Sequence, residues 1–298
     1  MVQWTGVYPA LTTKFTASDT LDLPLFEKNL AAQLDAGISG VVLGGTLGEA
    51  SVLTDSEKSE LVTTAQNQCD SRIPVILNIA EGSTRDAVAK AQAAEKQGAD
   101  GLMLLPPMRY RADDRETVIF FKTIANSTGL PIMIYNNPVD YRIEVTLDMF
   151  DQLADLPNIQ AIKESTRDVT NVTRLINRFG NRFKILCGVD TLTVEELLLG
   201  AHGLVAGLVC AFPFETVRLF NLTKSRQIDD ALALYRWFMP LLELDIHPKL
   251  VQYIKLAEQE VGLGSEHVRP PRLPLIGEER DRILAIIRDG IRTRPQFS

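Results

Sequence analysis

The stretch from Pro131 to Ser165 reads PIMIYNNPVDYRIEVTLDMFDQLADLPNIQAIKES, and it contains two short apolar runs. Pro131–Tyr135 and Ile159–Lys163 are too short for helices and are rich in residues that favour strands. Their side chains are apolar almost in succession, which is typical of strands buried on both faces of a parallel sheet. This stretch therefore predicts two parallel strands joined by a helical connection.

Runs of the same kind recur along the chain. The six others are Gly6–Thr12, Gly40–Leu43, Pro74–Ile79, Gly101–Leu105, Phe183–Cys187 and Leu204–Gly207. The segments between them carry helix signals, such as the capping-box spacing of Thr54 and Glu57. Eight strand–helix units in about 220 residues predict a (β/α)8 TIM barrel, with a doubly wound sheet as the alternative.

The length of the chain and its last quarter set the domain prediction. The 298 residues would make two average domains, but barrels often run to 200–250 residues as one unit. Strand-like runs cease near Ser225, and Ala231–Leu242, Leu250–Val261 and Glu278–Ile291 have helical patterns. We therefore predict one barrel over residues 1–224 that carries the active site, and a C-terminal helical appendage over residues 225–298.

Charge and cysteine usage exclude several classes of partner and location. The formal net charge of -7 argues against nucleic-acid binding, which needs a clustered basic face. Cys69, Cys187 and Cys210 lack CxxC spacing, and the N-terminus lacks the pattern of a signal peptide. The nearly uncharged stretch Leu197–Phe214 is interrupted by glycines and a proline. We expect a cytoplasmic protein that neither spans nor binds a membrane.

Two residues at predicted strand ends have the chemistry of a catalytic site. Catalytic groups of a barrel come from the carboxyl ends of its strands, where Lys163 and Tyr135 are predicted to lie. A desolvated lysine supplies the neutral amine that forms a Schiff base, although a lysine stem also packs readily on an apolar surface. Tyr135 is placed to transfer a proton, or is an ordinary buried tyrosine.

A glycine-rich loop follows the second predicted strand. Its sequence, Gly44-Gly45-Thr46-Leu47-Gly48-Glu49, allows backbone N–H groups to approach an anion such as a carboxylate. It lacks the phosphate-binding and dinucleotide-binding fingerprints. The three histidines form no close ligand pair and no GxSxG elbow is present, so we expect neither a metal site nor a serine hydrolase.

Several motifs, taken in order, indicate a family. They are Ala10-Leu11-Thr12-Thr13, Gly45-Thr46-Leu47-Gly48-Glu49, Tyr135-Asn136-Asn137-Pro138, Ile162-Lys163-Glu164, Cys187-Gly188-Val189-Asp190, Gly262-Leu263 and Val268-Arg269-Pro270-Pro271-Arg272-Leu273-Pro274. Through them the chain resembles, nearly from end to end, the dihydrodipicolinate synthase / N-acetylneuraminate lyase superfamily of Schiff-base-forming barrels. The order and spacing of the motifs are more specific than any one of them.

The resemblance implies a class I (Schiff-base) lyase that needs no cofactor and no metal. It implies that Lys163 attacks the C2 carbonyl or imine carbon of a small 2-oxo acid or cyclic imino acid, and that Tyr135 relays protons. Thr46, with the backbone at Leu47, would hold the C1 carboxylate and link to the hydroxyl of Tyr135. A main-chain carbonyl near Val205 would line the pocket. The resemblance also implies a homotetramer, built as a dimer of dimers.

Three positions depart from the synthase pattern. Leu47 stands where the synthase usually has a second threonine, and Asp140 stands where an arginine binds a second carboxylate, with Arg142 close by. Met108 stands where the synthase has a tyrosine lent by a neighbouring subunit. Replacing an arginine and a tyrosine by an aspartate and a methionine changes what the site can recognise. These departures resemble catabolic members of the superfamily that dehydrate or deaminate.

We therefore predict dehydration and deamination of Δ1-pyrroline-4-hydroxy-2-carboxylate to 2-oxoglutarate semialdehyde, with release of ammonia. Asp140 would bind the freed amine, an inference from charge alone. The alternatives are a 2-keto-3-deoxy sugar acid aldolase or dehydratase and 4-hydroxy-tetrahydrodipicolinate synthase. A hypothesis from a different class is a non-catalytic 2-oxo acid binding module, against which the joint presence of Lys163, Tyr135 and Thr46 argues.

Overall fold

The computed structural model describes residues 2–296, and its centre is a single parallel sheet of eight strands. The strands are β1 Gly6–Pro9, β2 Val41–Leu43, β3 Val75–Ile79, β4 Gly101–Leu104, β5 Ile132–Asn136, β6 Ile159–Glu164, β7 Lys184–Cys187 and β8 Gly203–Ala206. Each strand pairs with the next along the chain from β2 to β8, and β8 pairs with β1. A bridge between Ala10 and Val42 joins β1 to β2, so the sheet closes into a (β/α)8 TIM barrel.

All eight predicted strands are present, and closure of the sheet excludes the doubly wound alternative. Most boundaries differ from prediction by one residue, but the first strand ends at Pro9 rather than at Thr12. Beyond Pro9, Ala10 still bridges Val42, and the Thr12 hydroxyl then donates a 2.7 Å hydrogen bond to the buried carboxylate of Glu258. This contact over a long sequence separation has no local signal in the sequence.

Helices follow every strand and cover the outside of the barrel. They are α1 Leu23–Ala36, α2 Asp55–Cys69, α3 Thr84–Lys96, α4 Asp114–Ala125, α5 Pro138–Tyr141, α6 Leu147–Leu153, α7 Thr170–Phe179, α8 Thr193–Leu199, α9 Pro213–Lys224, α10 Ile228–Leu242, α11 Leu250–Glu260 and α12 Gly277–Arg292. The predicted capping box before α2 is present: the Thr54 hydroxyl accepts from the Glu57 N–H, and the Glu57 carboxylate accepts from the Thr54 N–H. Each capping box satisfies two backbone donors that a helix start would leave unpaired.

The three helices predicted for the C-terminal part are α10, α11 and α12, and α10 begins three residues earlier than predicted. The chain between α10 and α11 forms a single 3₁₀ turn, Glu243–Ile246, which packs against the chain that follows β7. The appended segment thereby reaches the mouth of the barrel at the carboxyl ends of the strands. None of the helices formed by residues 2–296 is long and apolar enough to cross a membrane.

Candidate active site

Tyr135 and Lys163 are neighbours at the carboxyl ends of β5 and β6. They are paired in the strand register, and both line a cavity of about 70 Å³ in the mouth of the barrel. The Lys163 Nζ lies 4.0 Å from the centroid of the Tyr135 ring. The fold therefore brings together the two residues that the sequence predicted as the catalytic pair.

The Lys163 side chain fits because a glycine follows β7. A Cβ atom on Gly188 would lie 2.7 Å from Lys163 Cγ and 2.1 Å from the hydroxyl of Ser165. Distances this short are forbidden by steric overlap, so a larger residue would displace the lysine stem. The Cys187-Gly188 sequence at this strand end thus has a packing reason.

Burial sets the protonation of the Lys163 amine. The side chain is only 6% exposed, and this burial lowers the pKa of Lys163, while Tyr141 and the carboxyl groups of Asp245 and Asp190 act in the opposite direction. A lowered pKa increases the fraction of neutral amine near neutral pH. The neutral amine is the form that attacks a carbonyl carbon.

The Tyr135 hydroxyl is oriented by a neighbouring amide. Asn137 Nδ2 donates a 3.0 Å hydrogen bond to Tyr135 Oη, so the phenolic hydrogen is left for another acceptor. Burial raises the pKa of Tyr135 to about 12, and the phenol therefore keeps its proton near neutral pH. The Asn137 side chain also accepts from the Asp140 N–H and thereby caps α5. This arrangement suits a tyrosine that donates a proton to a ligand in the cavity.

The glycine-rich loop forms the opposite wall of the cavity. Thr46 and Leu47 line it, and the loop is anchored from beneath by the fully buried Glu49. The Glu49 carboxylate pairs with the ammonium group of Lys255 on α11 and accepts a 3.1 Å hydrogen bond from the Arg269 N–H. The C-terminal segment thus fixes the loop predicted to hold the substrate carboxylate.

The predicted link between Thr46 and Tyr135 is not what the structure shows. The Thr46 hydroxyl instead shares a 2.7 Å hydrogen bond with the hydroxyl of Tyr141. The Tyr141 ring packs edge-on against Tyr135, with the ring centroids 5.4 Å apart. Tyr141 is not among the residues predicted for the site, although its position three residues after Pro138 is a usable signal. The short turn α5 brings the Tyr141 ring against that of Tyr135.

The residues that depart from the synthase pattern do not all line the cavity that contains Lys163. Asp140 lines the cavity and accepts a 2.7 Å hydrogen bond from Asn137. Arg142 is exposed and is not part of the cavity wall, while Met108 faces a separate surface cavity beside Arg109. Val205 lies on β8 and lines the same cavity as Lys163.

The structure also adds residues that sequence reasoning missed. Ser165 and Arg167, from the chain that ends and follows β6, line the cavity, as does Asp245 from the C-terminal segment. Asp190 lies buried beside them and accepts hydrogen bonds of 3.1 and 2.8 Å from the N–H groups of Gly207 and Leu208. Asp245 had no sequence signal, because it lies in a segment whose pattern indicates only helices and turns.

Comparison with known proteins identifies the family. Residues 3–289 match the model of the Dihydrodipicolinate synthetase family. The chain belongs to this family. Its members are class I aldolases and lyases, so the protein is an enzyme of the Schiff-base lyase class and the non-catalytic binding module is not retained.

Individual relatives are similar over nearly the whole chain. The 4-hydroxy-tetrahydrodipicolinate synthase of Exiguobacterium sibiricum is 34% identical over 274 residues, covering 91% of this chain and 92% of that protein. The crystal structure of dihydrodipicolinate synthase DapA-2 from Bacillus anthracis has a TM-score of 0.93 at 28% identity, covering 99% and 100% of the two chains. The chloride-inhibited dihydrodipicolinate synthase of Acinetobacter baumannii, complexed with pyruvate, has a TM-score of 0.91 at 26% identity, covering 97% and 99%.

Proposed function

We propose that the protein forms a Schiff base between Lys163 and the C2 atom of a small 2-oxo acid or cyclic imino acid. The observation that carries this proposal is the buried amine of Lys163 beside the ring of Tyr135, in the cavity at the barrel mouth. A protonated imine at C2 withdraws electrons from C3, so C3 loses a proton or the C3–C4 bond breaks or forms.

The other cavity residues take roles that their contacts support. Tyr135, held by Asn137, donates a proton to the leaving oxygen or nitrogen at C2 and takes a proton from C3 afterwards. The backbone at Thr46 and Leu47 binds the C1 carboxylate, which glycine neighbours allow to approach closely. Val205 lines the wall of the cavity on the β8 side.

The first candidate reaction is that of 4-hydroxy-tetrahydrodipicolinate synthase. The names of the curated relatives favour it over the deaminase, since all eight of the relatives considered carry that name. The A. baumannii relative is complexed with pyruvate, which is a small 2-oxo acid. Arg167 at the mouth is a cation that can bind a second carboxylate.

The second candidate is dehydration and deamination of Δ1-pyrroline-4-hydroxy-2-carboxylate, and the charge of the cavity favours it. Two carboxyl groups, those of Asp140 and Asp245, line the cavity beyond Lys163. Asp140 repels a second substrate carboxylate, and the oxygens of both groups can accept a hydrogen bond from an amine or a hydroxyl. A 2-keto-3-deoxy sugar acid is the third candidate substrate. Like the hydroxypyrroline, it carries a hydroxyl group at C4.

Borohydride trapping tests the proposal. Incubation with pyruvate and borohydride should add a stable adduct on Lys163, which peptide mass spectrometry locates, and Lys163→Ala should show no adduct and no turnover. Ala161, which is buried in the same strand, gives the matched control Ala161→Gly, which keeps the lysine. Absence of a Lys163 adduct in the native protein would refute Schiff-base formation.

Product analysis with the native protein distinguishes the candidate reactions. Turnover of pyruvate with aspartate semialdehyde indicates the synthase. Release of ammonia from the hydroxypyrroline indicates the deaminase, and release of pyruvate or water from a sugar acid without ammonia indicates the third class. Three free, buried cysteines support our proposal of a cytoplasmic location, and the family supports our proposal of a homotetramer.

A further inference from the structure

Asp245 is a carboxyl group of the catalytic cavity that comes from outside the barrel. It lies in the 3₁₀ turn Glu243–Ile246 between α10 and α11 and lines the same cavity as Lys163. Its carboxylate lies against the main chain of Gly207 after β8, where a Cβ atom would be 2.1 Å from Asp245 Oδ1. A glycine at this position therefore lets the carboxyl group enter the barrel mouth.

The contacts of Asp245 leave its oxygens available. Within residues 2–296 the side chain makes no hydrogen bond and no ion pair, whereas the nearby Asp190 is held by two backbone N–H groups. A carboxyl group fixed in a cavity without a protein partner is suited to contact a ligand there.

The surroundings of Asp245 favour its protonated form. Burial is the main cause, and the carboxylate of Asp190 and that of Asp140 add repulsion, so the pKa of Asp245 lies well above its usual range. Lys163 and Arg167 act in the opposite direction. A carboxyl group whose pKa is raised holds its proton to higher pH than an exposed one, and a protonated carboxyl group can donate to a leaving group.

We propose that Asp245 is the general acid that protonates a hydroxyl group leaving from C4 of the substrate bound to Lys163. This inference rests on the proposed Schiff base and deepens it, because it selects substrates that carry a hydroxyl at C4. Lys163 binds C2, and Asp245 lines the cavity wall formed by the C-terminal segment.

The proton and electron balance closes for a cyclic imine. Lys163 adds to C2 and passes one proton of its amine to the ring nitrogen, which takes a second proton from Tyr135 and leaves as an amine, so that C2 is left as a protonated imine. The resulting Tyr135 phenolate takes a proton from C3. The electrons of that C–H bond form the C3–C4 double bond while the C4–O bond breaks. The departing oxygen takes the Asp245 proton and leaves as water, and the Asp245 carboxylate regains a proton from solvent at the cavity mouth.

A general acid at the position of Asp245 favours elimination over aldol cleavage. Breaking the C4–O bond needs an acid at the C4 oxygen, whereas breaking the C3–C4 bond needs a base that removes the proton of that hydroxyl. A protonated Asp245 supplies the acid. The cavity is therefore assigned to C4-hydroxylated 2-oxo acids or cyclic imines that lose water.

The test compares Asp245→Asn with the native enzyme on two substrates. With the hydroxypyrroline, kcat should fall about 100-fold or more, in the range of a lost general acid. With a 4-fluoro analogue, whose fluoride leaves without protonation, kcat should fall less than about fivefold. Borohydride trapping with pyruvate should be unchanged, and the control Glu243→Gln, an exposed residue of the same turn, should keep native kinetics.

The outcomes separate this inference from the proposed function. If the native enzyme forms no pyruvate adduct, the Schiff base itself is refuted. If the adduct forms but the native enzyme does not eliminate the C4 hydroxyl, the role of Asp245 is refuted. The role of Asp245 is also refuted if Asp245→Asn keeps the native kcat on the hydroxypyrroline. It is refuted too if kcat falls equally on the hydroxypyrroline and the 4-fluoro analogue, or if the variant fails to form the pyruvate adduct.

Discussion

At the scale of single side chains, Asn137 organises the residues around Tyr135, the proposed proton donor. Its amide nitrogen donates to Tyr135 Oη at 3.0 Å and to Asp140 Oδ2 at 2.7 Å, and its oxygen accepts from the Asp140 N–H. One amide thereby orients the proposed proton donor and starts the short helix that carries Tyr141. The motif Tyr135-Asn136-Asn137-Pro138 is thus a structural unit as well as a sequence signature.

Replacing Tyr141 by phenylalanine tests the second hydroxyl of the site. The Tyr141→Phe variant keeps the edge-on ring contact with Tyr135 but removes the 2.7 Å hydrogen bond to Thr46. Loss of one neutral hydrogen bond is worth about 0.5–1.5 kcal/mol, so kcat/KM should fall about 3- to 10-fold. Steady-state kinetics measure this change, with the exposed Tyr110→Phe as control. A native kcat/KM in Tyr141→Phe would show that the bond does not position Thr46.

At the scale of elements, two buried ion pairs join the barrel to α11. Lys255 pairs with Glu49 in the glycine-rich loop, and Lys14 pairs with Glu258 at 2.7 Å beyond the end of β1. All four side chains are at most 1% exposed. Such pairs gain little over apolar packing but are costly to break, because a lone charge is left without water. They fix the register between the appended helices and the loop that holds Thr46.

The Lys255→Met variant should therefore be strongly destabilised. It removes the buried ammonium partner of the Glu49 carboxylate and leaves the more distant Arg272 guanidinium at 3.9 Å, so the free energy of unfolding should fall by about 3–5 kcal/mol. Urea denaturation measures this loss, and Lys249→Met, which removes the partly exposed pair with Glu279, should cost less than about 1 kcal/mol. Adding Glu49→Gln to Lys255→Met should recover part of the stability. Equal losses in Lys255→Met and Lys249→Met would contradict this role of the buried pair.

At the scale of the whole molecule, buried acids make stability depend on pH. Burial, with the neighbouring Glu164 as a smaller cause, raises the pKa of Glu196 to about 8. Between the ordinary carboxyl pKa and pH 8 the folded protein keeps a proton that the unfolded chain releases. The contribution of Glu196 is therefore fully present below the unfolded pKa, and it is lost as the pH rises through 8.

Glu196→Gln should remove this part of the pH dependence. The native free energy of unfolding should fall between pH 5 and pH 8, and the variant should lose about 1–4 kcal/mol less over the same range. Chemical denaturation at several pH values measures the difference. The exposed Glu60→Gln should follow the native curve. A Glu196→Gln curve parallel to the native one would show that Glu196 titrates normally in the folded protein.

The net charge of the whole molecule affects how it attracts a charged substrate. The formal charge of -7 repels the proposed anionic 2-oxo acid substrate at long range, so we expect its binding to depend on local groups. In the cavity these are the backbone at Thr46 and Leu47, the amine of Lys163 and the guanidinium group of Arg167.

The sequence by itself determined the strands, the barrel and the pair formed by Lys163 and Tyr135. Apolar runs and caps are local signals, and eight successive strand–helix units leave closure as the main solution. The sequence predicts Lys163 and Tyr135 as site residues because each ends such a run, at the edge where barrel enzymes carry their catalytic groups.

Only the tertiary structure decided which other groups reach the cavity. Asp245 and Thr46 belong to elements about 200 residues apart, and no period or cap relates them. The link from Thr46 to Tyr141 rather than to Tyr135 depends on how α5 turns, and Thr12 after β1 is bonded to the distant Glu258. These contacts follow from packing between distant segments, whereas sequence patterns record only the environment of each segment along its own length.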